Sequence, residues 1–199
     1  LSRQRVFSVM LRAGQTVRGL LPAGLRARIA TRPSHSPAVL VGGHARRLVL
    51  LEGCVQPGLA PGINSAAARV LDQVGIAVER VRGEQCCGAL AHHLGATERA
   101  LEQARANVDA CCAALDAGAV AIVSSASACG LMVKDYVRLL AGDGAYAARA
   151  ERVSAATRDL AEVVEPGDLR RTGSKAGSGT RVAWQSTSTL QDGQSIAGR

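Results

Sequence analysis

The sequence predicts an α/β fold in which a parallel sheet carries flanking helices, preceded by a basic helical arm. Three observations predict it. Short continuous apolar runs, Leu48-Val49-Leu50-Leu51 and Val120-Ala121-Ile122-Val123 among them, have the character of strands buried on both faces. Segments with helical spacing of apolar residues alternate with those runs. Gly- and Pro-rich stretches separate the two kinds of segment, as right-handed strand–helix–strand crossovers require.

Residues 2–21 place Val6, Phe7, Met10, Leu11, Val17, Leu20 and Leu21 at helical spacing, with Arg5, Arg12 and Arg18 between them. Pro22 ends this helix. Residues 22–45, with Pro33 and Pro37, read as an irregular connector. The first strand is Leu48–Leu51, and a helix over 63–74 follows it. The second strand is Ile76–Val81. A long Ala-rich helical stretch covers 89–117, with Gly95 marking a break and Thr97 an N-cap near its start. Gly118 closes it before the third strand, 120–123. Residues 130–141 read as helical, and two further helical pieces cover 145–164. Between 166 and 179 the composition shifts to Gly, Ser, Lys and Arg, as in a linker. Thr180-Arg181-Val182-Ala183-Trp184 reads as one more strand. The predicted organisation is an arm and connector (1–45), a first domain (46–165), a linker (166–179) and the incomplete start of a second domain (180–199). Leu1 at the beginning and the unfinished last segment suit a piece of a longer polypeptide.

The chain has 199 residues, 47% of them apolar, enough for one ordinary core. Aromatic residues make up 2%, namely Phe7, Tyr136, Tyr146 and Trp184, so bases and sugars have few platforms to stack on. No stretch reaches the ~18–20 apolar residues of a membrane span. The net charge of +8 is concentrated in the arm: Arg3 through Arg47 precede Glu52, the first acid. Such an arm suits an anionic lipid, an acidic partner subunit or plain solvent. Nucleic acid is disfavoured, because no recognition motif is present and aromatics do not interleave with the arginines.

Six cysteines are the informative residues: Cys54, Cys86, Cys87, Cys111, Cys112 and Cys129. Two adjacent pairs in a chain with its own core do not resemble a secreted disulfide scaffold, and no signal peptide is visible. A reducing, cytoplasmic setting and metal ligation fit better. Cys54, the Cys86–Cys87 pair and Cys129 each follow a predicted strand by a few residues. In a parallel sheet those loops share the carboxyl edge, where open α/β folds bind ligands. Each loop runs into a helix N-terminus, which favours the thiolate, the metal-binding form. Gly53, Gly88 and Gly130 adjoin these cysteines and let backbone approach a bulky inorganic centre. Adjacent cysteines pair with each other only under strain, but both can bind one multi-atom cluster. Close C-x₂₋₄-C pairs, usual for zinc, are lacking, which favours an iron–sulfur cluster and leaves zinc as the alternative. Cys111 and Cys112 fall mid-helix and read as core residues. His92 and His93 read as surface or core histidines rather than cluster contacts, and Lys134 and Asp135 as an exposed helix turn. No Ser–His–Asp set is present, and Pro61-Gly62 and Gly142-Asp143-Gly144 are turn signals, not dinucleotide fingerprints.

Several motifs in order carry a resemblance: Leu51-Glu52-Gly53-Cys54-Val55-Gln56-Pro57, Cys86-Cys87-Gly88-Ala89-Leu90, His92-His93-Leu94-Gly95, and Cys129-Gly130 followed by Val133-Lys134-Asp135-Tyr136. They resemble the iron–sulfur subunits of glycolate oxidase (glycolate dehydrogenase) and, more broadly, the cysteine-rich CCG domains of heterodisulfide reductases. The resemblance implies an iron–sulfur cluster, of the 4Fe–4S type, on Cys54, Cys86, Cys87 and Cys129. It implies an electron-transfer subunit of an oxidoreductase that converts glycolate or D-lactate to the 2-oxo acid. It further implies flavin-containing partner subunits carrying FAD, a quinone-directed electron path, and a cytoplasmic complex peripheral to the inner membrane. This piece alone is expected to be inactive. A heterodisulfide-reductase-like thiol-redox subunit and a structural zinc or inactive docking module are the alternatives. Two departures stand out. The family's final C-x-x-C has Ala126 in its first place. The second domain's opening motif has Gln185 and Ser188 where a His and a Cys are usual, so no second cluster is expected.

Overall fold

A computed structural model of the chain describes residues 4–27, 29, 43–171, 181 and 187–196. Its centre is a four-stranded sheet in the order β2-β1-β3-β4, with β1 Arg46–Leu51, β2 Ile76–Arg80, β3 Ala121–Ser124 and β4 Thr157–Asp159. Every pairing is parallel, and Leu48 stands opposite Val78 on one side and Ala121 on the other. Parallel neighbours leave both faces to be covered by crossover helices, so β1 is apolar at successive positions. Leu48, Val49 and Leu50 are almost wholly buried.

The alternation of side chains sorts the core into two layers. Leu48, Leu50, Ile76, Val78 and Val123 face α4 (Gly62–Gln73) and α10 (Leu160–Val163), where Leu71 is fully buried. Val49, Leu51 and Ile122 face the other side. There they meet α6 (Thr97–Asp116), α7 (Ser127–Lys134), α8 (Tyr136–Leu139) and α9 (Ala147–Ala156). Full burial of a side chain such as Leu71 contributes about 1.5–3 kcal/mol.

At the amino end α1 (Gln4–Val17) continues into a 3-10 turn at Arg18–Leu20, and Pro22 stops it as the spacing predicts. Phe7 and Leu11 of α1 lie against Gly58 in α3 (Gln56–Leu59), whereas Val6, Val9 and Met10 face outward. Among the described residues no helix is long and apolar enough to cross a membrane.

The structure corrects several expectations. The connector is not wholly irregular, since Ala23–Arg26 forms a single helical turn, α2. The break at Gly95 is real and separates α5 (Ala89–His93) from α6, but Ala96 rather than Thr97 is the N-cap residue, and it makes no side-chain cap bond. The helix placed at 130–141 begins at Ser127, so Cys129 lies within the first turn of α7. Strand β4 lies inside the stretch read as helical over 145–164. It lacks an apolar run because its backbone and caps hold it: Thr157 bonds back to Val153, and Asp159 forms a capping box with Glu162 at the start of α10. The predicted linker opens as a helix, α11 (Pro166–Arg171); residues 172–180 lie outside the described residues. The predicted strand over 180–184 lies outside them too, Arg181 excepted, as does Gln185. Residues 187–196 are described. A π-helical turn, Thr189–Gly193, packs on α7, with Gly193 against Leu131, Gln194 bonded to the Ser127 carbonyl, and Ile196 buried.

Lys134 on α7, which follows β3, and Glu162 on α10, which follows β4, are joined by a 2.5 Å ion pair. Burial pushes the Glu162 carboxyl up, but Lys134 and the Asp159 N–H outweigh it and hold the group below its ordinary value. A depressed carboxyl contributes stability above its unfolded pKa and loses it as pH falls through the folded one. Glu162→Gln is therefore expected to cost about 1–2 kcal/mol at neutral pH. The difference from the parent should shrink once pH drops below 4.5, the ordinary value of the carboxyl. Urea titrations on both sides of that pH measure it, and a constant difference counts against the ionised pair.

Candidate metal centre

Because the strands run in one direction, Leu51, Arg80 and Ser124 end at one rim of the sheet. The loops leaving that rim bring Cys54, Cys86, Cys87 and Cys129 together. The Sγ atoms of Cys54 and Cys86 are 3.3 Å apart. A Cβ built on Gly53 would lie 4.0 Å from the Cys129 Sγ, so the Cys54 loop rests on the Cys129 helix. Hydrogen bonding couples Cys87 to both Cys86 and Cys129. Cys86 and Cys87 are 3% and 8% exposed, while Cys54 and Cys129 are half-buried and form the outer side of the group.

The loops are held by buried polar side chains rather than by apolar packing. Glu84 accepts the backbone N–H groups of Glu52 and Gly53 at 2.9–3.1 Å, tying the Cys54 turn to the Cys86 loop. Asn107, on α6, accepts the Gln85 N–H and donates to the Cys86 carbonyl and the Tyr136 hydroxyl. Tyr136, fully buried on α8, donates onward to the Cys87 carbonyl at 2.8 Å. A second network joins the loops after β1 and β3. Gln56 donates to Asn64 and Ser125, Ser125 to Asn64, and Asn64 to the Glu52 carbonyl. At two glycines the backbone itself requires the residue. Gly53 and Gly88 have φ of 74° and 91°, and a Cβ at Gly88 would press on the Ala100 carbonyl of α6 at 3.3 Å. Gly130 has no such φ; it sits close against Ser124.

The close approach of the thiols shifts them in opposite directions. Cys86 accepts hydrogen bonds from Cys54 and Cys87, and its thiol is held well below the usual range, with further help from the Gly88 N–H and Arg99. Cys129 is likewise lowered by its bond with Cys87. The donors go the other way. Cys54 is raised by its bond to Cys86 and by burial, and Cys87 by its bonds to Cys129 and Cys86. The N–H groups of Gly88 and Ala89, where α5 begins, favour the thiolates of Cys86 and Cys87, as expected at a helix start. The rim thus presents four soft donors poised between thiol and thiolate. Among the described residues no three His, Cys, Asp or Glu side chains already stand as the ligands of one ion. The sulfurs are instead drawn into hydrogen-bonded pairs.

The remaining sequence candidates lie elsewhere. Cys111 and Cys112 are buried in the core beneath α6, and burial pushes Cys111 up to about 12. His92 and His93 are exposed, edge to face with each other. Lys134 pairs with Glu162, and Asp135 with Arg138 on the surface. Sequence reasoning missed Glu84, Asn107, Asn64 and Ser125. None belongs to a pattern, although Gln56 and Tyr136 did stand within the motifs already singled out.

Residues 48–134 match the family described as CCG: Cysteine-rich domain. Among curated proteins, the chain is 38% identical over 196 residues to the "Glycolate oxidase iron-sulfur subunit" of Escherichia coli (strain K12), covering 98% of this chain and 48% of that protein. It is 28% identical over 155 residues to the "Probable glycolate oxidase iron-sulfur subunit" of Bacillus subtilis (strain 168), covering 73% of this chain and 34% of that one. It is 26% identical over 111 residues to "Lactate utilization protein A" of Bacillus pumilus (strain SAFR-032), covering 56% and 44%. The chain spans about half the length, or less, of these curated relatives. No solved structure matches it significantly.

Asn107→Ala is expected to orphan the Gln85 N–H and the Cys86 carbonyl. At about 1–3 kcal/mol for each of these two groups, the loss totals about 2–6 kcal/mol. It should also speed the reaction of Cys87 with a thiol reagent in the folded protein. Denaturant titration and the labelling rate report the two effects; unchanged labelling would mean that Asn107 does not hold the loop.

Proposed function

We propose, from the premise that residues 48–134 are a cysteine-rich domain of the CCG family, that this domain holds an iron–sulfur cluster on Cys54, Cys86, Cys87 and Cys129. The observation that carries the proposal is the convergence of four thiols from three strand ends on one rim. The donor set fits such a group. Thiolate sulfur is the soft ligand that iron–sulfur clusters take, and two of the four are already biased toward thiolate. Gly53 and Gly88 keep side chains out of the approach. A bound cluster supplies one-electron redox capacity. The chain's own residues bind and tune. Glu84 and Asn107 fix the loop backbones, the Gly88 and Ala89 N–H groups favour sulfur anions, and the core beneath Cys86 and Cys87 keeps water out.

On this reading the chain is the electron-carrying subunit of an oxidoreductase complex acting on glycolate or D-lactate. Its likeness to a glycolate oxidase iron-sulfur subunit along nearly its whole length supports that assignment. The cluster would be of the 4Fe–4S type. Flavin-bearing partners remove the electrons from the hydroxy acid, and the complex delivers them from the cytoplasmic side, peripheral to the inner membrane. The organisation proposed is a basic arm over 1–45, the cluster domain over 46–165, a connecting segment over 166–179 and the opening of a second unit over 180–199. Ser188, in that last segment, offers no soft ligand for a further cluster.

Anaerobic purification followed by iron, sulfide and zinc analysis tests the proposal. The parent chain should carry iron and sulfide with visible absorbance, and Cys87→Ala should lose most of both. Zinc in place of iron, or full iron in Cys87→Ala, refutes the ligand set. Assay of the co-purified complex separates the enzymes: glycolate-dependent dye reduction supports the reading, and reduction of a heterodisulfide in its place overturns it.

A further inference from the structure

Cations on this fold commonly carry a carboxylate: Arg80 meets Glu52, Arg105 meets Asp143 and Lys134 meets Glu162. Arg99 does not. It sits in the first turn of α6, where the backbone of Ala100 lies against the Cys86-Cys87-Gly88 turn. Its side chain is half-buried, and its Nε is sealed from solvent with no hydrogen-bond acceptor among the described residues. Two local effects oppose a cation there. Desolvation penalises an unpaired guanidinium N–H, and the amino end of a helix repels positive charge. Glu84 turns its carboxylate to the Glu52 and Gly53 N–H groups.

We infer that Arg99, its sealed guanidinium N–H held where the start of α6 meets the Cys86-Cys87-Gly88 turn, offsets the negative charge of a cluster held by the four cysteines. The inference rests on the cluster reading above. Adding an electron makes such a centre more negative, so a fixed cation beside it stabilises the reduced form and raises the potential. Arg99 supplies that cation together with an Nε–H donor that has no acceptor among the described residues.

The test is a redox titration of the 199-residue chain, loaded anaerobically, with iron and sulfide measured on each sample. Arg99→Gln should shift the equilibrium toward the oxidised cluster about tenfold, which lowers the midpoint by about 59 mV for a one-electron step. Arg99→Lys should recover most of that shift, because it keeps the charge. Arg138→Gln, which removes a charge that is 85% exposed, should leave the midpoint where it was. An unchanged midpoint in Arg99→Gln at full iron content overturns the assignment. Should Arg99→Gln take up no cluster, Arg99→Lys decides: uptake by the lysine variant supports charge compensation, and failure of both in folded protein refutes it. A parent chain that takes up no iron and sulfide refutes the cluster reading itself, a result distinct from a loaded chain whose midpoint ignores Arg99.

Discussion

Parallel pairing of β1 with both β2 and β3 is the constraint on which the site depends. Strands that run together end together, and a side chain a few residues past each end has no route to the opposite rim. An antiparallel β2 would have carried Cys86 and Cys87 to the far edge of the sheet. The pairing is enforced by burial. Leu48, Leu50, Val78 and Val123 fill one layer and Val49 and Ile122 the other, so a one-residue slip of β1 would exchange the two sets. The apolar runs that specify the sheet therefore also specify where the sulfur atoms meet.

Convergence alone leaves loops that wander, and the structure fixes them with polar groups in a dry setting. Glu84 shows the balance involved. Burial pushes its carboxyl up to about 7, while the Glu52 and Gly53 N–H groups pull the other way. Removed from water, the carboxylate oxygens find in those backbone donors the partners that water would have given. Asn107 and Tyr136 do the same for the Cys86–Cys87 step, with every one of their side-chain polar atoms bonded. A buried network satisfied at every member rigidifies; one with a missing member costs more than an apolar substitute would. The backbone of the site is thereby set independently of whatever the thiols bind.

The difference between what the sequence disclosed and what it hid follows from the same physics. The strands β1 to β3 and the thiol loops were legible because burial on two faces leaves a local signature, a run of apolar residues bounded by glycine. Strand β4 was not. It is short and lies at the sheet edge, and Thr157 and Asp159 earn their burial through hydrogen bonds, not apolar area. Cys129 was placed on the correct rim but in a loop, since Ser127 and Ala128 give no helix start that spacing can detect. Glu84, Asn107 and Tyr136 act on partners far away in sequence, where periodicity carries no information. Tyr136 was visible only as part of a familiar motif, and Arg99 not at all, because one more arginine in a basic chain is unremarked until its surroundings are known.

The proton arrangement and Arg99 together describe a site that is rigid in its backbone and unsettled in its charge. Hydrogen bonding and burial raise Cys54 and Cys87, while the same bonds lower Cys86 and Cys129. Metal ligation removes the thiol protons and concentrates negative charge on the rim, which makes affinity depend on pH. A cation left unpaired in a half-buried position costs on the order of a few kcal/mol, a cost that falls once a nearby anion answers it. Arg99 thus penalises the empty thiol set and favours the filled one. Because anything that binds only the native state stabilises it, the charge that the cluster brings and the charge that the fold leaves unanswered act in the same direction.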